Sequence, residues 1–188
     1  MAVSKHTLDE ESEYFLDLIN ATAGTKPPSE LSVEEARYHD DATSRLFGGE
    51  IVFDGDINDI KTEHNIAGKS VCIIVRVYKP TICQDDPPIL IYFHGGGFVM
   101  GQLHSVETTC KKIACLSKCI VVSVDYRLAP EYKYPTCFYD GICTTKWVIG
   151  NKTTIGGNEQ SIVGVCGSSA GGTIAAVVAI EVPSVSFQ

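Results

Sequence analysis

The sequence has little of what marks a nucleic-acid-binding, membrane-spanning or secreted protein. Its 188 residues carry 23 acidic and 15 basic side chains, a formal net charge of -8, so we expect no basic surface for nucleic acid. No stretch of about 18 consecutive apolar residues offers a membrane span. The N-terminus, MAVSKHTLDEESEYF, lacks the apolar segment of a signal peptide. These absences predict a cytoplasmic protein without a membrane span and without a nucleic-acid partner.

Motifs for metals and nucleotides are also missing. Eight cysteines in 188 residues are too few for a disulfide scaffold, and they lie in apolar runs or helical patterns. The spacing of Cys110, Cys115 and Cys119 fits no usual zinc pattern. Met100 stands where a dinucleotide-binding loop that began at Gly95 would have its third glycine, and no P-loop motif occurs. We therefore expect neither a metal nor an organic cofactor.

The length suits one ordinary domain, and 44% hydrophobic with 20% charged residues is a normal globular composition. Apolar residues at helical spacing predict a helix over residues 8–22, followed by a break at 24–28. Ser32 and Glu35 have the spacing of a capping box. A second helix is therefore predicted to begin there and to end near Ser44.

Beyond these helices, short β-rich runs alternate with helical segments. Strands are predicted near residues 51, 71, 89, 120 and 162, and helices near 106–114, 136–149 and 171–180. Unalternated Val- and Ile-rich strands separated by helices are typical of a parallel sheet that is covered on both faces. The predicted fold class is therefore α/β, with a mostly parallel sheet flanked by helices.

A glycine-rich loop, GSSAGG at residues 167–172, follows the apolar run IVGVC and opens a helical segment. Ser169 is the centre of a G-x-S-x-G pattern in the strand–turn–helix context that exposes a serine nucleophile. The start of the following helix places backbone N–H groups, notably that of Ala170, beside a developing oxyanion. Taken alone, the pattern also fits a turn whose serine merely caps a helix.

A second loop, HGGGF at residues 94–98, directly follows the apolar run ILIYF. Three successive glycines let the backbone approach a ligand and turn its N–H groups inward. Lipases and esterases pair such an oxyanion loop with the serine loop. An isolated triple glycine would usually be a flexible turn, but two such loops in this order, each after an apolar strand, argue against coincidence.

These two loops, with VVSVDYRLAPE at Val121–Glu131 between them, resemble the hormone-sensitive-lipase-like branch of the α/β-hydrolases. That branch includes bacterial carboxylesterases and arylacetamide deacetylase. The resemblance covers residues 70–180 and implies a carboxylic-ester hydrolase that forms an acyl-enzyme with a small-molecule ester. It also implies cap helices in residues 1–48 and an α/β-hydrolase core in residues 49–188.

The resemblance assigns a role to each loop residue. Ser169 would be the nucleophile, and His94 and Gly95 would shape the oxyanion loop without acting as a base. Arg127 and Glu131 would form structural ion pairs. Three backbone N–H groups would form the oxyanion hole, those of Gly96, Gly97 and Ala170. One departure lies beside the nucleophile, where this sequence has Ser168 and the family usually has Asp.

A serine nucleophile needs a base and an orienting acid, and in α/β-hydrolases both follow the serine. After Ser169 the sequence has one acidic residue, Glu181, and no histidine. The five predicted strands also compare with the eight usual in this family. We therefore expect an incomplete core that does not turn over esters by itself, with an unpaired apolar edge at the strand near Ile162.

Two other interpretations remain open at this point. The chain could belong to a non-catalytic, ligand-binding relative, since a plant hormone receptor of this fold keeps the pocket and has lost the catalytic histidine. It could also be a fragment without function that does not fold stably. The residue at the family's histidine position distinguishes the first alternative from an esterase, and a thermal melt tests the second.

Overall fold

The computed structural model describes residues 7–23, 26 and 30–188. Two helices come first, α1 at Glu10–Ala23 and α2 at Val33–Phe47. The capping box of α2 is formed, because Ser32 Oγ accepts the Glu35 N–H at 3.2 Å while the Glu35 carboxylate accepts the Ser32 N–H at 2.8 Å. Both predicted helices are thus confirmed. The break predicted at 24–28 lies, apart from Lys26, outside the described residues.

The remaining elements alternate as the sequence predicts. The strands are β1 at Gly55–Ile66, β2 at Lys69–Pro80, β3 at Ile89–Phe93, β4 at Ile120–Asp125 and β5 at Val163–Gly167. The helices are α3 at Glu107–Ser117, α4 at Thr136–Gly150 and α5 at Ala170–Glu181. Among the described residues, no helix combines the length and the apolar character that a membrane crossing requires.

The sheet has the strand order β1-β2-β4-β3-β5. Strand β3 pairs in parallel with both β4 and β5, whereas β2 pairs antiparallel with β1 and β4. The α/β class is confirmed, with a mixed sheet whose parallel part is β4-β3-β5. In that part Phe93 at the end of β3 lies opposite Gly167 at the end of β5. The segments that follow these two strands therefore leave the sheet side by side.

The first strand differs from the prediction, since it begins at Gly55 and not near residue 51. The apolar residues that suggested a strand near 51 are irregular, and Val52 is 95% exposed. Strand β1 is largely polar and exposed, and it is held by its ladder with β2. Ala67 and Gly68, both with positive φ, close the hairpin between them, as a two-residue turn requires.

The sheet is covered on both faces, as the unalternated strands predict. On one face, buried strand residues pack with Val148 of α4 and with Ile174 and Val178 of α5. On the other face, Cys110 and Ala114 of α3 pack against the strand residues Tyr78, Tyr92 and Val121. Adjacent residues of a strand point to opposite faces, so a strand buried on both sides is apolar at nearly every position.

The edge at β5 is not the unpaired apolar edge that the sequence predicts. The segment after α5 turns back and lies parallel to β5, with Phe187 opposite Gly164. The Ser186 N–H donates to the Val163 carbonyl at 2.7 Å, and the Val165 N–H donates to the Phe187 carbonyl at 3.1 Å. These hydrogen bonds satisfy the outer backbone groups of β5 in its first half, which an isolated edge strand leaves open.

A buried ion pair joins the segment after β4 to α4. Asp140 is completely buried, and its carboxylate accepts the Arg127 Nη2 at 2.6 Å and the Arg127 backbone N–H at 2.9 Å. Glu131 pairs with Arg37 at 2.7 Å. Both ion pairs implied for Arg127 and Glu131 are therefore present, and the Arg127 pair fixes the segment that runs past the triple-glycine loop.

Replacing Asp140 by Ala should lower the free energy of unfolding by about 3 kcal/mol, because the Arg127 guanidinium loses its carboxylate. The matched control is Asp59→Ala, which breaks the pair between Arg76 and the half-exposed Asp59 and should cost less than about 1 kcal/mol. Urea unfolding of both variants measures the difference. Equal decreases in the free energy of unfolding would show that the buried pair stabilises the fold no more than the exposed pair does.

Candidate functional site

The serine loop and the triple-glycine loop are in direct contact. The Ser168 N–H donates a hydrogen bond to the Phe93 carbonyl, with 3.3 Å between nitrogen and oxygen. A Cβ placed on Gly95 would lie 3.0 Å from Ser168 Oγ and 3.5 Å from Ser169 Cβ. The two loops that the sequence predicts as functional partners are thus brought together at the carboxyl ends of β3 and β5, where open α/β sheets bind ligands.

Ser169 lies on a strained turn between β5 and α5. Its φ of 51° and ψ of -118° lie outside the common regions for a non-glycine residue. Its side chain makes no capping hydrogen bond to the helix that it precedes, and the residue is exposed. A helix cap has the opposite geometry, with an extended backbone and a bonded side chain. The interpretation of Ser169 as a simple cap does not fit this conformation.

The glycines around Ser169 are required by close backbone packing. A Cβ on Gly171 would overlap the carbonyl oxygens of Phe93 and His94, and one on Gly167 would overlap the backbone of Gly171. The turn is therefore pressed against the end of β3 from both sides of the serine. This packing explains why the G-x-S-x-G pattern has glycine at its two ends, and it keeps the strained turn in place.

The triple-glycine loop folds into a tight turn with free N–H groups. Gly96 and Gly97 have φ values of 114° and 62°, and the Gly96 carbonyl accepts the N–H groups of Val99 at 3.0 Å and Met100 at 2.8 Å. Among the hydrogen bonds of the described residues, none uses the N–H of Gly96, Gly97 or Ala170. Unused backbone donors beside an exposed serine are what stabilisation of an oxyanion requires.

His94 lies beneath this loop and is fully buried. Its Nδ1–H donates to the Gly95 carbonyl at 2.7 Å, and its ring stacks on Tyr126 at 4.3 Å between centroids. The Tyr126 hydroxyl in turn donates to the His94 carbonyl at 2.8 Å. Burial lowers the pKa of His94, so the ring is neutral. Its contacts are therefore with the loop backbone and Tyr126, and none of them reaches Ser169.

Three other histidines are described, and the ring of His39 lies edge-on to that of its neighbour Tyr38 on α2. His64 is 2.7 Å from Thr62 Oγ1, and His104 bonds to Asp41. Within residues 7–23, 26 and 30–188, no hydrogen bond joins a histidine to Ser169. The structure thus brings the serine loop against the triple-glycine loop, and among the described histidines none is hydrogen-bonded to Ser169.

Tyr92 is a site residue that sequence reasoning misses. Burial raises the pKa of Tyr92, and the side chain of Ser168, next to the candidate nucleophile, opposes that rise. The signal available in the sequence was the position of Tyr92 near the end of β3, two residues before the loop at 94–98. Ser168, which departs from the family pattern, therefore has Tyr92 as a neighbour.

Replacing Gly171 by Ala should lower the free energy of unfolding by more than about 2 kcal/mol, because its Cβ overlaps the Phe93 carbonyl. The matched control is Gly172→Ala, where a Cβ would lie 3.3 Å from the Gly167 carbonyl oxygen. We expect that variant to stay within about 1 kcal/mol of the parent, since Ala favours the helix. Urea unfolding measures both variants. A Gly171→Ala variant with the free energy of unfolding of the parent would contradict this close packing.

Comparison with known proteins agrees with this geometry. The sequence profile of the α/β-hydrolase fold family matches residues 90–186, which include both loops. The esterase LipI of Mycobacterium tuberculosis is 47% identical over 116 residues, covering 61% of this chain and 36% of LipI. The ethyl acetate hydrolase of Pseudomonas putida is 32% identical over 180 residues, covering 92% of this chain and 55% of that protein.

A solved structure shows the same relation. The hyperthermophilic esterase of the archaeon Pyrobaculum calidifontis superposes with a TM-score of 0.80 and 33% identity, covering 94% of this chain and 54% of that one. The chain thus spans between about a third and just over half of the length of these relatives. A profile match over half of the chain, together with this fold, identifies it as a member of the α/β-hydrolase fold family.

Proposed function

We propose that this chain carries the nucleophile and the oxyanion hole of a serine carboxylesterase. The observation that carries the proposal is the exposed, strained Ser169 in a loop that contacts the triple-glycine loop, where the described hydrogen bonds leave three backbone N–H groups unused. Strain of this kind is retained where packing holds it for a purpose, and here the packed glycines at 167 and 171 hold it. The esterases among its relatives support the same reaction class.

In the proposed reaction, Ser169 Oγ attacks the carbonyl carbon of an ester while a base takes the hydroxyl proton. The negative charge moves to the carbonyl oxygen, where the N–H groups of Gly96, Gly97 and Ala170 stabilise it. The C–O bond to the alcohol then breaks, the alcohol leaves with the proton, and the acyl group remains on Ser169. Water hydrolyses this acyl-enzyme by the same steps and restores the serine.

The proposal assigns the base and its orienting acid to residues beyond Gln188. No histidine follows Ser169 in the sequence, and none of the described histidines is hydrogen-bonded to Ser169. The order serine, acid, histidine is the one found in this fold. Residues 1–188 alone should then hydrolyse esters very slowly. Ser168 in place of Asp leaves the turn intact, because the close contacts of the turn are made by glycine backbone.

We propose small, uncharged acyl or aryl esters as the substrates, with arylacetamide-type amides as a second possibility. The ethyl acetate hydrolase among the relatives is named for a small, uncharged ester. No metal or organic cofactor takes part in the proposed steps. In this account α1 and α2 form the cap of residues 1–48 over the acyl pocket.

The test starts from the transcript beyond codon 188. We expect the reading frame to continue through an Asp and then a His, and the purified product to hydrolyse p-nitrophenyl acetate. Ser169→Ala should then lower kcat by at least about 10⁴-fold, and the matched control Ser168→Ala should keep kcat within about tenfold.

Three outcomes would contradict the proposal. Activity that survives in Ser169→Ala removes Ser169 as the nucleophile. Ester hydrolysis by residues 1–188 that disappears in Ser169→Ala would show that the base lies within these residues. A product that binds small esters without turning them over would be the ligand-binding relative that the sequence left open.

A further inference from the structure

Helix α2 makes a set of contacts that the proposed reaction does not use. Arg37 Nε donates to the Val99 carbonyl at 2.8 Å, and Arg37 Nη2 donates to the Ala129 carbonyl at 2.9 Å. The two terminal nitrogens of Arg37 also bind the Glu131 carboxylate at 2.8 and 2.7 Å. One guanidinium therefore joins the end of the triple-glycine loop to the segment after β4.

A backbone hydrogen bond also links these two segments, close to the carbonyl that Arg37 binds. The Ala129 N–H donates to the Phe98 carbonyl at 2.9 Å, next to the Val99 carbonyl that Arg37 binds. Phe98 has a φ of 64°, an unfavourable conformation for a bulky residue. A residue in that conformation persists only where its surroundings hold it. The contacts around Phe98 and Val99 provide this restraint.

The same face of α2 continues along the chain after the loop. Asp40 lies beside Gly101, whose backbone N–H opposes the rise in the pKa of Asp40 that burial causes, and Asp41 accepts a hydrogen bond from Gln102 Nε2 at 2.9 Å. Asp41 also binds His104. Residues spaced three or four apart on a helix share one face, so Arg37, Asp40 and Asp41 together contact successive residues between Val99 and His104.

The Arg37 contacts fix the positions of their acceptors more than they add to the free energy of folding. The side chains of Arg37 and Glu131 are 33% and 51% exposed, and ion pairs of that exposure add little to folding. The planar guanidinium, however, fixes the directions of its acceptors, which a lysine ammonium cannot do. The Arg37 pair holds the pKa of Glu131 down, at about 2, so the carboxylate is charged at neutral pH.

We infer that Arg37 is a positioning residue for the oxyanion loop, an inference that rests on the proposed function. By holding the carbonyls of Val99 and Ala129, Arg37 keeps the turn at Gly96 and Gly97 closed, with its free N–H groups directed to the site. The N-terminal helices are then part of the catalytic geometry as well as a cover. No residue of α2 touches the reacting atoms in this account.

Hydrogen exchange on residues 1–188 tests the positioning directly and needs no activity. In Arg37→Ala, peptides covering residues 94–102 should exchange at least about tenfold faster, while peptides of β5 and α5 keep the parent rate. Arg37→Lys should lie between, because it retains the charge without the fork. The matched control Glu34→Ala removes an exposed charged side chain from the first turn of the same helix and should exchange like the parent.

Unchanged exchange at 94–102 in both Arg37 variants would overturn the inference, as would equal acceleration throughout the chain. If Arg37→Ala does not fold, Arg37→Lys alone decides, since it keeps a long, helix-favouring side chain. In the complete product, Arg37→Ala should lower kcat about tenfold with KM within about twofold, and Arg37→Lys should recover part of kcat. A rise in KM with kcat unchanged would also overturn the inference. An inactive parent enzyme would refute the proposed function without altering the exchange result.

Discussion

The parallel pairing of β3 with β5 is the constraint on which the site depends. Because the register sets Phe93 opposite Gly167, the two loops leave the sheet at the same level and meet. The close contacts between the serine loop and the end of β3 follow from that arrangement, including the overlap that would arise from a Cβ at Gly171. Parallel strands end at the same edge of a sheet, and ligand sites of this fold class lie at that edge.

The site itself is an arrangement of backbone held under strain. Ser169 and Phe98 are the two non-glycine residues of the loops with positive φ, and each is fixed by packing from a different direction. The end of β3 holds the serine turn, and α2 with the segment after β4 holds the triple-glycine turn. Rigid support of this kind keeps N–H donors in place before a charge develops, which is the source of their catalytic effect.

The parts of the structure that depend on local pattern could be predicted from the sequence. The capping box at Ser32 and the strands are each indicated by residues adjacent in the chain. The contact of the two loops follows from the position of each loop directly after a parallel strand. Strand β1 was misplaced because its polar sequence is stabilised by pairing with β2 and not by burial. Arg37 was missed because its partners lie 62 to 94 residues away, and nothing near Arg37 in the sequence indicates them.

The most direct test of the account is a crystal structure of the complete product, which continues beyond Gln188 in this account, after reaction with a fluorophosphonate, whose phosphorus adopts the geometry of the tetrahedral intermediate. The account predicts phosphorus bonded to Ser169 Oγ, with one phosphonyl oxygen within about 3 Å of the N–H groups of Gly96, Gly97 and Ala170. A phosphonate on another residue, or an oxygen directed to solvent with these N–H groups unused, would contradict it.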